Sequence, residues 1–298
     1  MFSTLPKILI TGGKGQVGYC LRAQLQGRAE LYTPDSAALD IADCGSVRQA
    51  VEAFRPEYII NAAAYTAVDK AENDAGRAFA VNRDGARHLA RAAEAVGAAM
   101  LHISTDYVFD GEGGAPYAET APAAPQNVYG ASKLAGEQAV LSACSRAVVM
   151  RTSWVFGAHG HNFAKTMLKL GRERDSLGIV ADQYGAPTAA ADIAAALIRI
   201  MHRLHQGWHD DYAGVYHYCG SPYASWFEFA QAIFAQAAAQ GVLANIPALR
   251  PIATADYPTP ARRPADSRLD CGKIRAVFGI EAGDWRSALG GLRAYIVN

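Results

Sequence analysis

The sequence lacks an excess of charge of either sign. Its 298 residues contain 28 Lys and Arg against 28 Asp and Glu, so the formal net charge at pH 7 is zero. Proteins that bind nucleic acid, or that are held at membranes by polybasic segments, carry a basic excess. We therefore expect neither nucleic acid nor a membrane among the partners of this chain.

Long apolar runs and paired cysteines are also missing. No apolar run reaches the ~18 residues of a membrane-spanning helix, and the N-terminal segment lacks the charged start of a signal peptide. The five cysteines are scattered and form no C-x-x-C pair, which argues against a disulfide framework and a zinc site. Hydrophobic residues make up 51% of the chain, enough for a buried core. We expect a cytoplasmic protein with no metal site.

The first half of the chain alternates short apolar runs, such as Lys7–Thr11, with stretches of helical spacing. This alternation requires right-handed crossovers and predicts an α/β fold with a doubly wound parallel sheet of the Rossmann type. We assign residues 1–154, together with 188–207, to the dinucleotide-binding domain. Residues 155–187 and 208–298 are predicted to form a smaller mixed α/β region that binds the substrate.

A glycine-rich segment follows the first predicted strand. The run Thr11–Gly18 contains G-x-G-x-x-G and stands directly before a predicted helix. Glycines let the backbone turn tightly and approach a pyrophosphate, and the N-terminus of the helix offers free N–H groups. In this context a dinucleotide site is favoured over an ordinary glycine turn.

An acidic residue, Asp35, follows the second predicted strand. A carboxylate there can bind the ribose hydroxyls of the adenosine, although an exposed turn aspartate is the alternative interpretation. Its charge would repel a ribose phosphate and favour NADH, whereas Lys14 could offset that repulsion, so both NADPH and NADH stay open. Asp40 and Ile41 are weaker candidates to flank the adenine.

Tyr129 and Lys133 are spaced i, i+4 on a predicted helix and therefore share one face. A neighbouring cation lowers the pKa of a phenol, which predicts proton transfer at a carbonyl or alcohol. The pattern is common on solvated helices, but Thr105 adds to it, because it follows a buried strand at the carboxyl end, where doubly wound sheets bind ligands. Thr105 can hydrogen bond to the oxygen that Tyr129 protonates. The combination predicts hydride transfer to a carbonyl.

These motifs resemble the extended short-chain dehydrogenase/reductases and, among them, the dTDP-4-dehydrorhamnose reductase family. The resemblance covers nearly the whole chain and implies NADPH- or NADH-dependent reduction of the C4 ketone of dTDP-4-dehydro-L-rhamnose to dTDP-L-rhamnose, a precursor of surface polysaccharides. The segments that carry it are Thr11–Gly18, Asn61–Glu72, Ser104–Phe109, Tyr129–Glu137, Arg151–Trp154, Asn162–Met167, Asp182–Thr188 and Tyr257–Pro264.

The resemblance also implies a role for each matching residue. Tyr129 would donate the proton, Lys133 would hold the nicotinamide ribose, and Thr105 would orient the sugar carbonyl. The substrate would contact Asp106, Trp154, Asn162 and Arg263, the last as a cation for the pyrophosphate. The cofactor would be lined, besides Tyr129 and Lys133, by Gly12, Gly15, Gln16, Val17, Gly18, Asp35, Asp40, Ile41, Ala64, Tyr65 and Thr66.

Some members of the family share a magnesium ion between subunits through carboxylates. Here Cys20 and Ala191 occupy those positions, and neither provides a hard oxygen ligand. A metal-bridged dimer is therefore not expected, while a homodimer built by other contacts stays open.

Two other functions remain open. A non-catalytic regulatory subunit of the methionine adenosyltransferase type resembles the same family, but a pure binding role would not require Tyr129, Lys133 and Thr105. The second alternative is another nucleotide-sugar epimerase or dehydratase. A dehydratase would carry acidic residues beside Thr105, which Asp106 alone does not decide, and the run Asp182–Thr188 favours the reductase.

Overall fold

A computed structural model describes residues 5–296 and shows strands and helices that alternate along the chain. Its strands are β1 (Lys7–Thr11), β2 (Glu30–Tyr32), β3 (Tyr58–Asn61), β4 (Ala99–Thr105), β5 (Ala147–Thr152), β6 (Val155–Phe156), β7 (Ser176–Val180), β8 (Tyr184–Gly185), β9 (Thr188–Ala189), β10 (Gly214–His217), β11 (Ala224–Ser225) and β12 (Ala248–Ile252). Its α-helices are α1 (Gln16–Leu25), α2 (Cys44–Phe54), α3 (Val68–Ala71), α4 (Ala75–Phe79), α5 (Ala86–Val96), α6 (Val128–Ala143), α7 (Phe163–Glu173), α8 (Ala190–His205), α9 (Trp226–Ala239), α10 (Gly272–Phe278) and α11 (Trp285–Ala288).

Six strands form one parallel sheet in the order β10-β5-β4-β3-β1-β2. The strands are parallel because a crossover separates each from the next, and the predicted doubly wound α/β fold is confirmed. The strand order reverses between β1 and β3. In sheets of this kind the crevice at the carboxyl ends of such strands is the ligand site.

Side chains of the central strands alternate between two hydrophobic layers. Ile8 and Ile10 pack into the cluster that contains α1 and α8, whereas Leu9 faces the cluster of α2 and α5. All three are fully buried. This period of two, with apolar residues on both faces, explains why the strands read as continuous apolar runs.

The sixth strand comes from late in the chain. β10 pairs with β5 in the register Val215↔Val149, so residues 214–217 complete the sheet although the sequence assigned 208–298 to the substrate region. β10 is short and begins at Gly214, which has φ +124°. It therefore shows no apolar run from which its place could be predicted.

The remaining strands form three small pairs outside the main sheet. β6 pairs with β9 and β7 with β12 in parallel, and β8 pairs with β11 in antiparallel orientation. Together with α7, α9 and α11 they surround a separate apolar cluster that includes Phe156, Phe229 and Trp285. Among the helices of residues 5–296, none is both long enough and apolar enough to cross a bilayer.

Candidate active site

The glycine segment lies between β1 and α1, at the point where the strand order reverses. Gly12 has φ +70°, and a Cβ there would lie 2.6 Å from the backbone of Ala62. A Cβ on Gly18 would overlap the carbonyl of Gly12. Gly15 is the N-cap of α1 and no side chain caps the first turn, so N–H groups there can bind an anion. This geometry fits a dinucleotide pyrophosphate.

Asp35 lies beside this loop and is paired with Lys14. The Nζ of Lys14 donates to Oδ2 of Asp35 at 2.8 Å, and the N–H groups of Ala37 and Ala38 donate to Oδ1. The hydrogen bond from Lys14, the largest cause, lowers the pKa of Asp35 below its ordinary value. The positive charge of Lys14 therefore offsets the negative charge of Asp35, which by itself would repel a ribose phosphate.

Asp40 and Ile41 differ in what they can offer to a ligand. Ile41 is only 5% exposed and packs in the cluster that contains Leu9 and Val47. Asp40 accepts a hydrogen bond from the N–H of Ala42 and lies 3.6 Å from Arg77, and its side chain is 44% exposed. The Ile41 side chain therefore belongs to the core, and Asp40 alone presents polar atoms.

The chain at residues 64–66 is held by Asn82, which the sequence did not reveal. Asn82 accepts from the N–H of Tyr65 at 2.8 Å and donates to its carbonyl and to the hydroxyl of Ser132. Asn82 lies in a π-helical turn, Ala80–Gly85, between α4 and α5. Such turns are rare and frequently occur at functional sites. In the sequence, Asn82 is marked only as a single amide side chain within an alanine-rich stretch.

Tyr129 and Thr105 meet at the carboxyl end of β4. Tyr129 lies in the first turn of α6, which begins after Asn127, whose side chain accepts from the N–H of Gly130. Burial, opposed by a hydrogen bond with Thr105 and supported by the charge of Asp106, raises the pKa of Tyr129 to about 12. The phenol therefore keeps its proton at neutral pH, as a proton donor requires.

Lys133 does not have the effect on Tyr129 that the sequence predicts. Its side chain is buried, and Nζ donates to the carbonyl of Ile103 at 2.6 Å and lies 3.4 Å from Nε2 of His102. Burial lowers the pKa of Lys133 to about 8, against the charge of Glu137. The prediction that Lys133 lowers the pKa of Tyr129 is wrong in this structure, because the amine is directed at β4.

A buried ion pair fastens α6 to the sheet. Arg151 of β5 donates from Nε and Nη2 to the two carboxylate oxygens of Glu137, at 2.9 and 2.7 Å, and Ser104 also donates to Glu137. Nη1 of Arg151 lies 3.4 Å from Nε2 of His217. Burial and the Arg151 charge lower the pKa of His217 to about 3, so its ring stays neutral. The sequence did not predict this ion pair, although Arg151, a charged residue inside an apolar strand, indicated that a buried partner was needed.

Arg263 and Asp106 lie near the Tyr129 helix. Nη2 of Arg263 donates to Asp69 at 2.7 Å, while its buried Nη1 has no hydrogen-bond partner among the described residues. Burial raises the pKa of Tyr107, and the nearby charge of Arg263 opposes this rise. The Tyr107 ring lies 5.6 Å from that of Tyr129. Burial raises the pKa of Asp106 to about 6. A buried, unused guanidinium N–H suits an anionic group of a substrate.

The indole ring of Trp154 packs against Trp226 and Gly185. Its backbone has φ +43°, a strained conformation for a residue other than glycine. The ring stacks on Trp226 with centroids 3.5 Å apart, and a Cβ on Gly185 would lie 2.5 Å from the indole. The indole is partly exposed, so a sugar can reach only the part of the ring that these two residues leave free.

Asn162 hydrogen bonds both to the start of α7 and to Gln16 at the start of α1. Its Nδ2 donates to Oε1 of Gln16 at 3.0 Å and to the carbonyl of Gly157, while its Oδ1 caps α7 by accepting from Lys165. Gln16 donates in turn to the carbonyl of His161. The polar atoms of Asn162 are therefore engaged by the protein.

The positions considered for magnesium hold few ligands. The thiol of Cys20 has its pKa raised by burial and by the charge of Asp192, and the carbonyl of Ala191 accepts from Gln24. Within residues 5–296 no group of three or more His, Cys, Asp and Glu side chains is arranged to hold a metal ion. Asp192 alone would be a poor site for a hard cation.

Comparison with known proteins places the chain in a family. The family model described as "RmlD substrate binding domain" matches residues 6–295. The chain is 48% identical over 293 residues to the dTDP-4-dehydrorhamnose reductase of Aggregatibacter actinomycetemcomitans, covering 98% of this chain and 99% of that one.

Solved structures agree with this result. The dTDP-4-dehydrorhamnose reductase of Bacillus anthracis in complex with NADP is 37% identical, with a TM-score of 0.88 over 99% of this chain and 100% of that one. The Clostridium acetobutylicum reductase is 36% identical, with a TM-score of 0.88 over 95% and 97% of the two chains. The resemblance seen in the sequence is confirmed.

Proposed function

The chain belongs to the RmlD substrate binding domain family, and we propose from this premise how its residues reduce the C4 ketone of dTDP-4-dehydro-L-rhamnose to dTDP-L-rhamnose. It is an NAD(P)H-dependent oxidoreductase of dTDP-rhamnose biosynthesis. The observation that carries the mechanism is the protonated, partly buried Tyr129 in contact with Thr105, at the sheet edge that also holds the glycine turn.

The dinucleotide is held mainly by backbone. The first turn of α1 provides N–H groups for its pyrophosphate through Gln16, Val17 and Gly18. The N–H of Gly15 donates to the carbonyl of Gly12 and closes the turn, and Gly12 itself lies against the backbone of Ala62. Residues 64–66, fixed by Asn82, form the wall on the Tyr129 side. When bound, the reduced cofactor supplies the hydride that the ketone carbon accepts.

Tyr129 is the proton donor in this mechanism. As the carbonyl carbon gains the hydride, negative charge develops on the oxygen, and the phenol of Tyr129 donates its proton to that oxygen. Thr105 hydrogen bonds to the same oxygen and orients it. Thr105 is buried and Tyr129 is partly buried, which strengthens these interactions in the transition state. Solvent returns the proton to the phenolate afterwards.

The sugar nucleotide is bound from the side of Arg263. Its free Nη1 suits the pyrophosphate, and a cavity of about 510 Å³ adjoins it, lined in part by Asp182, Thr254, Tyr257 and Arg262. The buried Oδ2 of Asp106 has no hydrogen-bond partner among the described residues and can accept from a sugar hydroxyl. Trp154 and Asn162 do not line this cavity; we assign Trp154 a contact with the sugar through its exposed edge and Asn162 an indirect role, because it holds Gln16.

One assay tests this function. The purified protein is mixed with dTDP-4-dehydro-L-rhamnose and either NADPH or NADH, and the absorbance of the reduced nicotinamide is followed while the product is identified by NMR. We expect stoichiometric oxidation of the cofactor and dTDP-L-rhamnose as product. Tight cofactor binding without oxidation would favour a regulatory subunit, and substrate conversion without net cofactor oxidation would favour an epimerase or dehydratase.

The pair of Lys14 and Asp35 predicts cofactor preference. Asp35→Asn removes the charge that repels a ribose phosphate and leaves the ammonium of Lys14 free, so we expect the affinity for NADPH to rise about 3- to 10-fold relative to NADH. Lys14→Met is expected to shift the ratio the opposite way. Dissociation constants from cofactor fluorescence measure both, with Lys7→Met, at the other end of β1, as the control. A shift in the same direction for Lys14→Met and Asp35→Asn would refute the idea.

The proposed location is the cytoplasm. All five cysteines are free thiols. The sulfur atoms of Cys219 and Cys271 lie only 3.6 Å apart without a disulfide between them. A reducing compartment keeps such a pair in this state.

A further inference from the structure

A chain of four buried polar side chains runs behind the proposed active site. Thr11, at the end of β1, donates to Oδ1 of Asn61 at 2.7 Å, and Nδ2 of Asn61 lies 3.0 Å from Nδ1 of His102. Nε2 of His102 lies 3.4 Å from Nζ of Lys133. Each of the four residues is at most 2% exposed. The chain therefore connects the strand before the glycine turn with the lysine of the Y-x-x-x-K motif.

The orientation of the Asn61 amide is determined by the backbone. The N–H of Ala63 points at Oδ1 of Asn61 from 3.1 Å. A backbone N–H can only donate, so the atom facing it must be the carbonyl oxygen of the amide. The NH2 group of Asn61 therefore faces His102 and donates to its Nδ1.

The tautomer of His102 follows from this donor. Because Nδ1 accepts from Asn61, the single proton of the neutral ring is on Nε2, which faces Lys133. A charged imidazolium would place an N–H against the NH2 group of Asn61. Consistent with this, burial keeps the pKa of His102 well below its ordinary value.

The Nζ atom of Lys133 therefore faces the Nε2–H donor of His102. An ammonium has three N–H groups and no lone pair, so it cannot accept from Nε2–H of His102. A neutral amine can accept this proton and still donate to the carbonyl of Ile103, the contact of 2.6 Å that the structure shows. The surroundings thus match the neutral form of this lysine.

We propose that His102 is a positioning residue that favours the neutral amine form of Lys133 on β4 in the cofactor-free enzyme, and that at alkaline pH, where this form is populated, dinucleotide binding is accompanied by proton uptake at this lysine. The inference rests on the proposed function, because Lys133 has to meet the nicotinamide ribose. The proton comes from solvent, and the hydroxyl oxygens of the ribose that Lys133 meets can accept hydrogen bonds from the ammonium.

The other charged groups around Lys133 do not supply a free counter-ion. Glu137, on the same helix, favours the ammonium form, but both of its carboxylate oxygens are engaged by Arg151 of β5. Tyr129, also on α6, is protonated, and Asp106 acts on Tyr129 from the end of β4. Burial therefore dominates and lowers the pKa of Lys133 to about 8.

The test is to count the protons taken up when NADPH binds. Isothermal titration calorimetry in buffers of different ionisation enthalpy gives this number for the full-length enzyme without any turnover. With the pKa of Lys133 near 8, we expect uptake of about half a proton at pH 8 and nearly one at pH 9. Lys133→Met is expected to abolish it. NADPH binding by the wild-type enzyme without uptake at either pH would overturn the proposal.

Substitution at Asn61 tests the hydrogen-bond logic. In Asn61→Asp the carboxylate still accepts from Thr11 and Ala63, but it also accepts from His102. The proton of His102 then moves to Nδ1, and Nε2 accepts from the Lys133 ammonium. Uptake at pH 9 should fall at least three-fold. Uptake equal to that of the wild-type enzyme would contradict the role of His102.

A second pair of variants serves if Asn61→Asp does not fold. His102→Gln can accept from Asn61 and donate to Lys133 through its amide and should keep the uptake, whereas His102→Glu accepts from both Asn61 and the Lys133 ammonium and should lose most of it. Equal proton uptake in both variants would show that His102 is only a core residue and does not position Lys133. Absence of NADPH and NADH binding in the wild-type enzyme would instead contradict the proposed function itself, so the two failures are distinguishable.

Discussion

Replacing Tyr129 with phenylalanine will lower kcat by about 10²- to 10⁴-fold, the range that a positioned general acid contributes. The phenolic proton is used only when charge develops on the substrate oxygen, so the loss falls on the transition state and not on binding. We expect the dissociation constant of NADPH to change less than three-fold. Steady-state kinetics and cofactor titration measure the two quantities separately.

The control for this variant is Tyr107→Phe. The Tyr107 ring lies 5.6 Å from that of Tyr129 and is also buried, so the change removes a hydroxyl from the same environment. We expect it to retain kcat within about ten-fold, since Tyr107 is not placed to donate to the ketone. Turnover by Tyr129→Phe close to that of the wild-type enzyme would remove Tyr129 from the mechanism.

The second large effect concerns stability. Arg151→Met leaves the carboxylate of Glu137 buried without its cation, and breaking such a pair costs about 3–5 kcal/mol of unfolding free energy. For a chain of this size the expected fall in Tm is roughly 10 °C. Both side chains of the pair are nearly inaccessible, 6% and 2% exposed, so solvent does not screen the loss. Thermal and urea unfolding followed by circular dichroism provide the measurement.

Two further variants make this prediction specific. Adding Glu137→Leu to Arg151→Met removes the unpaired charge and should recover about half of the lost stability, while Ser104 and His217 remain without their partners. Breaking the exposed pair of Lys7 and Glu30, whose side chains are 42% and 54% exposed, should change stability by less than about 1 kcal/mol. If Arg151→Met were as mild as Lys7→Met, the buried pair would not hold α6 on the sheet.

The features that could be predicted from the sequence are local in the chain. The apolar run of β1 predicts a buried strand because both of its faces are covered, and the glycine turn is identifiable because Gly12 and Gly18 have no space for a side chain. The spacing of Tyr129 and Lys133 places them on one helix face wherever the helix lies. Backbone sterics and helical periodicity act over a few residues, so these predictions hold without knowledge of the rest of the fold.

The state of the active-site groups depends on residues far apart in the chain. Glu137 meets Arg151 on another element, His102 meets Asn61 and Lys133 from two others, and β10 joins the sheet from the second half of the chain. The direction of a pKa shift follows from burial and such long-range partners, neither of which has a local pattern. The sequence alone determined the glycine turn and the helical spacing from which the reacting groups are predicted, and only the tertiary structure decided their protonation, because charge in a protein interior is set by what surrounds it.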